Sequence, residues 1–112
     1  MAQYMLLLYQ GIEGPVGLSP EEMQKALEKY MAWRNMPFTV DGHRLDNDPG
    51  RVVRSDGGKP RVTDGPYSET KEILGGYYTI EAASYEDAVE LAKGHPHIEY
   101  GGTIEVRKVF GT

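Results

Sequence analysis

Thr63-Asp64-Gly65-Pro66-Tyr67-Ser68-Glu69-Thr70-Lys71-Glu72-Ile73-Leu74-Gly75-Gly76-Tyr77-Tyr78 sets a turn, a cluster of charges and the opening of an apolar strand side by side. Asp64 can bond its own downstream N–H, Gly65 accepts unusual dihedrals, and Pro66 fixes φ and holds its predecessor out of the helical region. A tight turn is therefore expected there. Behind it, Ile73 to Ile80 is β-rich and apolar on both alternating faces, which suits a strand covered on both sides. The charged loop then lies at the lip of that strand.

Working outward, Tyr4 to Tyr9 is a second uninterrupted apolar run of strand length and reads as a central strand. Gly11 to Gly17 is a loop. Leu18-Ser19-Pro20-Glu21-Glu22 is a helix start, with Ser19 as N-cap, Pro20 at the first helical position and Glu22 placed to complete a capping box. Met23, Ala26, Leu27, Tyr30, Met31 and Trp33 then form one apolar stripe, and Pro37 forces an end near Asn35 or Met36. Within the stripe, Tyr30 and Trp33 read as core rather than ligand wall. Phe38 to Val40 and Arg44-Leu45 form a strand bent at Gly42. Arg51 to Arg54 and Pro60 to Thr63 flank a Gly-rich hairpin tip. Ser84 caps a second helix that ends at Gly94 and Pro96, and Thr103 to Phe110 is the last strand.

The order strand, helix, strand, small hairpin, strand, helix, strand predicts an α+β fold, a ferredoxin-like split βαβ sandwich with a small inserted β-hairpin, in one domain over residues 1–112. Two helices cover one face of such a sheet, whereas the strands at 4–9 and 73–80 are apolar on both. A second copy of the chain is the expected cover, so a homodimer follows, with a pocket between sheet and helices or at the subunit seam.

Composition narrows the function. No Cys excludes disulfides, a thiol nucleophile and Cys-based metal sites. The net charge of −5 provides no basic stripe for phosphates, so a nucleic-acid or anionic membrane surface is disfavoured. The 4–9 run is too short to span a bilayer, and the expected address is the cytoplasm. There is no phosphate loop, dinucleotide fingerprint or nucleophile elbow, and no cofactor is expected.

His43, His95 and His97 are the first candidates for acid–base work at neutral pH. His95-Pro96-His97-Ile98-Glu99 would aim His95, His97 and Glu99 to one side of an extended segment, a possible divalent-metal trio. The plainer reading, polar residues after a helix end, is preferred, and no metal site is assigned. Asp64 could orient a His or deprotonate a substrate, and it could equally be only a turn-forming Asp. Tyr67 and Lys71 could donate to an anionic ligand, and Glu69 could accept, although a charged loop is usually a solvated one. Tyr77 and Tyr78 alternate on their strand, so one should face the helices and the other an interface or cavity.

Asp64-Gly65-Pro66-Tyr67 with Gly75-Gly76-Tyr77-Tyr78 resembles the signature of the YCII-related proteins of the DGPF type, and Tyr4 to Leu8, Leu18 to Met23 and Gly101 to Arg107 fit the same pattern. The resemblance implies a ferredoxin-like fold assembled as a dimeric α/β barrel. It also points to suspected enzymatic activity, since many members of the wider group carry a His and an Asp in a common pocket, and one branch resembles dehydrochlorinases of chlorinated hydroxylated aromatics. That His lies on the first helix. Here no His occurs between Ser19 and Pro37, and His95-Pro96 stands where the group tends to place Asp before Pro. His97 and Asp64 are the nearest substitutes and are taken as the catalytic pair, with His95, Tyr67, Lys71 and His43 as ligand-binding residues. The expected function is acid–base chemistry, proton abstraction or elimination, on a small polar or aromatic metabolite. The alternative is a non-catalytic ligand-sensing or accessory module associated with an alternative sigma factor, since DGPF-type proteins are often encoded beside one.

Overall fold

Each long helix begins where a side chain satisfies its orphan amides. The Ser19 hydroxyl accepts from the Glu22 N–H at 3.1 Å, and α1 runs Pro20–Arg34. The Ser84 hydroxyl accepts from the Asp87 N–H at 3.2 Å to open α2, Tyr85–Lys93. These belong to a computed structural model that describes residues 1–11, 17–67 and 72–112. The remaining elements are β1 (Ala2–Gly11), β2 (Thr39–Arg44), β3 (Arg51–Asp56), β4 (Lys59–Asp64), β5 (Glu72–Ala82), a single helical turn α3 (Pro96–Glu99) and β6 (Thr103–Lys108).

The four long-range strands form one antiparallel sheet in the order β2-β5-β1-β6. Opposite Leu6 stand Tyr78 on one side and Val106 on the other. Strand alternation sends Tyr4, Leu6, Leu8, Tyr78, Ile80 and Ala82 to one face, where Trp33, Ala88 and Ala92 close the core over them. On the opposite face Met5, Leu7, Tyr77 and Thr79 are half-buried. The hairpin β3-β4 is a separate two-stranded sheet. Its tip, Gly57-Gly58, has positive φ at both residues, the geometry of a two-residue turn that only glycine adopts freely.

This architecture corrects the expected assembly. The chain forms a mixed α/β fold with two open sheets, not a ferredoxin-like sandwich closed into a dimeric α/β barrel. The edges β2 and β6 do not pair with one another, and a sheet of four strands is too narrow to curl around a side-chain interior, which takes about eight. Among the described residues no helix is long and apolar enough to cross a membrane.

Two local expectations also change. His95-Pro96-His97 is not extended: Pro96 starts α3, and the His95 ring caps it, its Nδ1 accepting from the His97 N–H at 2.9 Å. The helical turn breaks the alternation that would have gathered His95, His97 and Glu99, and Glu99 instead pairs with Lys29 at 2.6 Å. The α1 stripe is only partly core. Ala26 and Trp33 are buried, whereas Leu27 and Met31 remain 39% and 56% exposed because their part of the helix stands away from the sheet.

Candidate functional site

That separation leaves a cleft of about 380 Å³ between α1 and the sheet. Met23, Leu27 and Met31 form its wall, Leu8 and the glycines of β2 and β5 its floor, and α3 closes one end with His97 and Tyr100. The floor can be low because Gly75 and Gly76 carry no side chains. A Cβ on Gly75 would fall 2.7 Å from the Gln10 amide carbon, and one on Gly76 would fall 2.9 Å from the His43 carbonyl oxygen.

At the closed end, His97 is 4% exposed and its two ring nitrogens lie in different bonds. Nε2 lies 2.7 Å from the Tyr9 carbonyl oxygen, and Nδ1 lies 2.7 Å from the Tyr30 hydroxyl. A carbonyl can only accept, so Nε2 carries the hydrogen. Nδ1 is then the bare acceptor, and the Tyr30 O–H donates to it. Burial pushes His97 below the usual imidazole range, against the opposing pull of the Tyr9 carbonyl and the Glu72 carboxylate. Burial likewise pushes the Tyr30 phenol up to about 12. Both shifts favour the neutral pair at neutral pH, and the Tyr30 oxygen keeps its lone pairs for a group in the cleft.

Several neighbours hold this pair. The His95 cap fixes the start of α3, and the Gly102 N–H donates to the His97 carbonyl at 2.8 Å from beyond its end. His95 is 1% exposed and packs edge-on against Trp33, Tyr78 and Tyr30. Its Nε2 is buried with no hydrogen-bond partner among the described residues, and burial, with a smaller contribution from His97, lowers the group to about 3. It is a neutral core ring that positions His97.

The other residues expected at a site are distributed elsewhere. Asp64 ends β4 with its side chain 87% exposed, paired to Arg51 at 3.5 Å, so His97 is partnered by Tyr30 and Tyr9 rather than by Asp64. Gly65 explains the motif around it. Its N–H donates to the Gly50 carbonyl at 3.0 Å, and a Cβ there would overlap the Pro49 carbonyl, so the turn at 64–66 fastens the base of the hairpin to the turn at 48–50. Tyr67 is exposed beneath the Arg54 guanidinium, 5.3 Å from it. Lys71 and Glu69 lie outside the described residues, as does residues 12–16 of the first loop. His43 sits on β2 at the cleft's edge, its Nδ1 2.8 Å from the Tyr77 hydroxyl, while Tyr78 faces the helices as strand alternation requires. Among the described residues no three His, Asp or Glu gather as metal ligands.

Sequence reasoning missed Tyr30 and Arg44 in the cleft lining and Gly102 against the His97 ring. Tyr30 carried a weak signal, a phenol inside an apolar helical stripe, and the pair Gly75-Gly76 signalled a close approach. Arg44 carried none.

A 42-residue segment is 44% identical to part of an uncharacterised protein of Rhizobium meliloti (strain 1021), covering 38% of this chain and 34% of that one, so the match spans about a third of the relative's length. The family model described as the YCII-related domain matches residues 2–111.

Proposed function

The chain belongs to the YCII-related domain family, and we propose that it is an enzyme that moves a proton on a small metabolite held between α1 and the sheet. The observation that carries this reading is the neutral Tyr30–His97 pair at the closed end of an apolar cleft. A substrate X–H bonded to the Tyr30 oxygen gives its proton to that oxygen while the Tyr30 proton passes to His97 Nδ1. The products are the substrate anion, a neutral phenol and an imidazolium whose Nε2–H stays on the Tyr9 carbonyl. Return of the proton elsewhere on the substrate is isomerisation, and loss of a leaving group is elimination. His97 takes the base role read from the sequence, with Tyr30 rather than Asp64 as the group beside it.

The test is solvent deuterium incorporation, followed by proton NMR in D2O, across a panel of small oxo acids and hydroxylated aromatics. Wild-type protein should label at least one compound, and Tyr30→Phe and His97→Gln should not. A specific observation favours a second reading. Both His97 ring nitrogens are already engaged by the protein, as in a structural histidine, which suits a ligand-sensing module without turnover. Saturable binding of a panel member with no labelling decides for that reading.

Half-buried Met5, Leu7 and Tyr77, on the sheet face opposite the helices, support a homodimer through that face. Light scattering on wild type and Leu7→Lys tests it: a dimer mass that falls to the monomer supports it, and a monomeric wild type refutes it.

A further inference from the structure

The chain carries 17 acidic residues against 12 Lys and Arg, yet among the described residues that line the cleft the charged side chains are Arg34 and Arg44, and no carboxylate is part of that lining. Arg34 is committed to the fold. Its Nε donates to the Gly42 carbonyl at 2.8 Å and its Nη2 lies 3.7 Å from Asp41. Arg44 has no hydrogen-bond or ion-pair partner among the described residues. It is nonetheless firmly placed, since β2 pairs with β5 at Arg44 and Gly76 and the ladder continues through the Leu45 N–H to the Gly75 carbonyl at 2.9 Å. Gly42 and Arg44 share a strand face, and Gly42 faces Tyr78 on the side covered by the helices. Across from Arg44 stands Gly76, with no side chain to occupy the space under the guanidinium.

A partnerless guanidinium over a glycine floor, beside an apolar wall, is a receptor for an anionic head on an apolar body. We infer that the cleft binds a small apolar carboxylic acid, with Arg44 taking the carboxylate and Met23, Leu27 and Met31 the body. This rests on the cleft proposed above as the active site and specifies its substrate class. Arg44 is close enough to Tyr30 for its charge to oppose the rise of the phenol, so the carboxylate would sit near the proton-transfer pair. The same cation would also stabilise the negative charge that forms when the substrate loses its proton.

Calorimetric titration with benzoate, benzamide and benzylamine tests the inference on the whole chain. Benzoate should bind at least about tenfold more tightly than benzamide, the low end expected for one charge-assisted contact, and benzylamine more weakly still. Arg44→Ala should bring benzoate down to the benzamide level while its urea-unfolding midpoint stays at the wild-type value, which shows the fold intact, and Arg44→Lys should recover part of the loss. Parity of benzoate with benzamide, an unchanged Arg44→Ala, or no saturable benzoate binding overturns the inference. Deuterium labelling without benzoate preference defeats the anion inference alone. Benzoate binding without labelling defeats only the proton-transfer reading.

Discussion

Gly102 lies flat against the imidazole of His97: a Cβ on Gly102 would overlap Nε2, Cδ2 and Cε1 of the ring. The backbone of the turn after α3 therefore serves as the plate that holds the ring between the Tyr9 carbonyl and the Tyr30 hydroxyl. Gly102→Ala should push the ring out of both bonds and destabilise the fold by about 1–3 kcal/mol through overpacking. The NMR shifts of the His97 ring measure the first effect and urea unfolding the second. Unmoved ring signals would show that the plate is not needed.

Tyr30→Phe keeps the ring that packs 5.2 Å from His95 but removes the hydroxyl that donates to His97 Nδ1. Stability should fall by about 1–3 kcal/mol, the usual cost of a stranded buried acceptor. Turnover in the labelling assay should fall by about 10²–10⁴-fold, the usual share of a positioned acid–base group. A variant that labels substrate at the wild-type rate removes Tyr30 from the chemistry.

Acid should destabilise the fold through its two buried imidazoles. Burial lowers His95 to about 3 and moves His97 in the same direction, whereas the unfolded chain titrates them near the ordinary histidine value of about 6.5. Below that value the unfolded state binds protons the fold refuses. Stability is thus complete above about pH 6.5 and declines as pH falls toward the folded values, by up to about 1.4 kcal/mol per pH unit for each His. Asn is a good helix cap and does not titrate, so His95→Asn should show a shallower pH slope than wild type between pH 7 and 5 in urea unfolding. Parallel slopes would refute the assignment.

The Asp64-Gly65-Pro66 turn should divide sharply between its residues. Asp64→Asn alters an exposed ion pair with Arg51 and should change stability by less than about 1 kcal/mol. Gly65→Ala meets the Pro49 carbonyl and should cost more than about 2 kcal/mol, as overlaps with backbone commonly do. Thermal unfolding of the two variants checks the contrast, and an Asp64→Asn loss as large as that of Gly65→Ala would restore a central role to the carboxylate.

Much of the local structure is legible in particular residues. Ser19 and Ser84 announce their helices because a cap is a bond between groups three residues apart, and Gly57-Gly58 announces a turn because few other residues tolerate its dihedrals. The four residues of α3 are too few to show a period, so His95-Pro96-His97 reads as extended. Tyr30 and Trp33 share one stripe and look alike in it. Which of them is covered depends on how far α1 stands from a floor of glycines, a distance set by residues on other strands.

By itself the sequence determined the caps, the turns and the two-sided apolar strands, because these follow from dihedral preference, local hydrogen bonding and side-chain period. Only the tertiary structure decided that the sheets stay open, that the conspicuous Asp64 motif fastens a hairpin, and that His97 meets a hydroxyl 67 residues away and a carbonyl 88 residues away. Such a meeting is a contact between distant segments, fixed by the packing of α3 against α1 and β1, and no local preference of His97 encodes it.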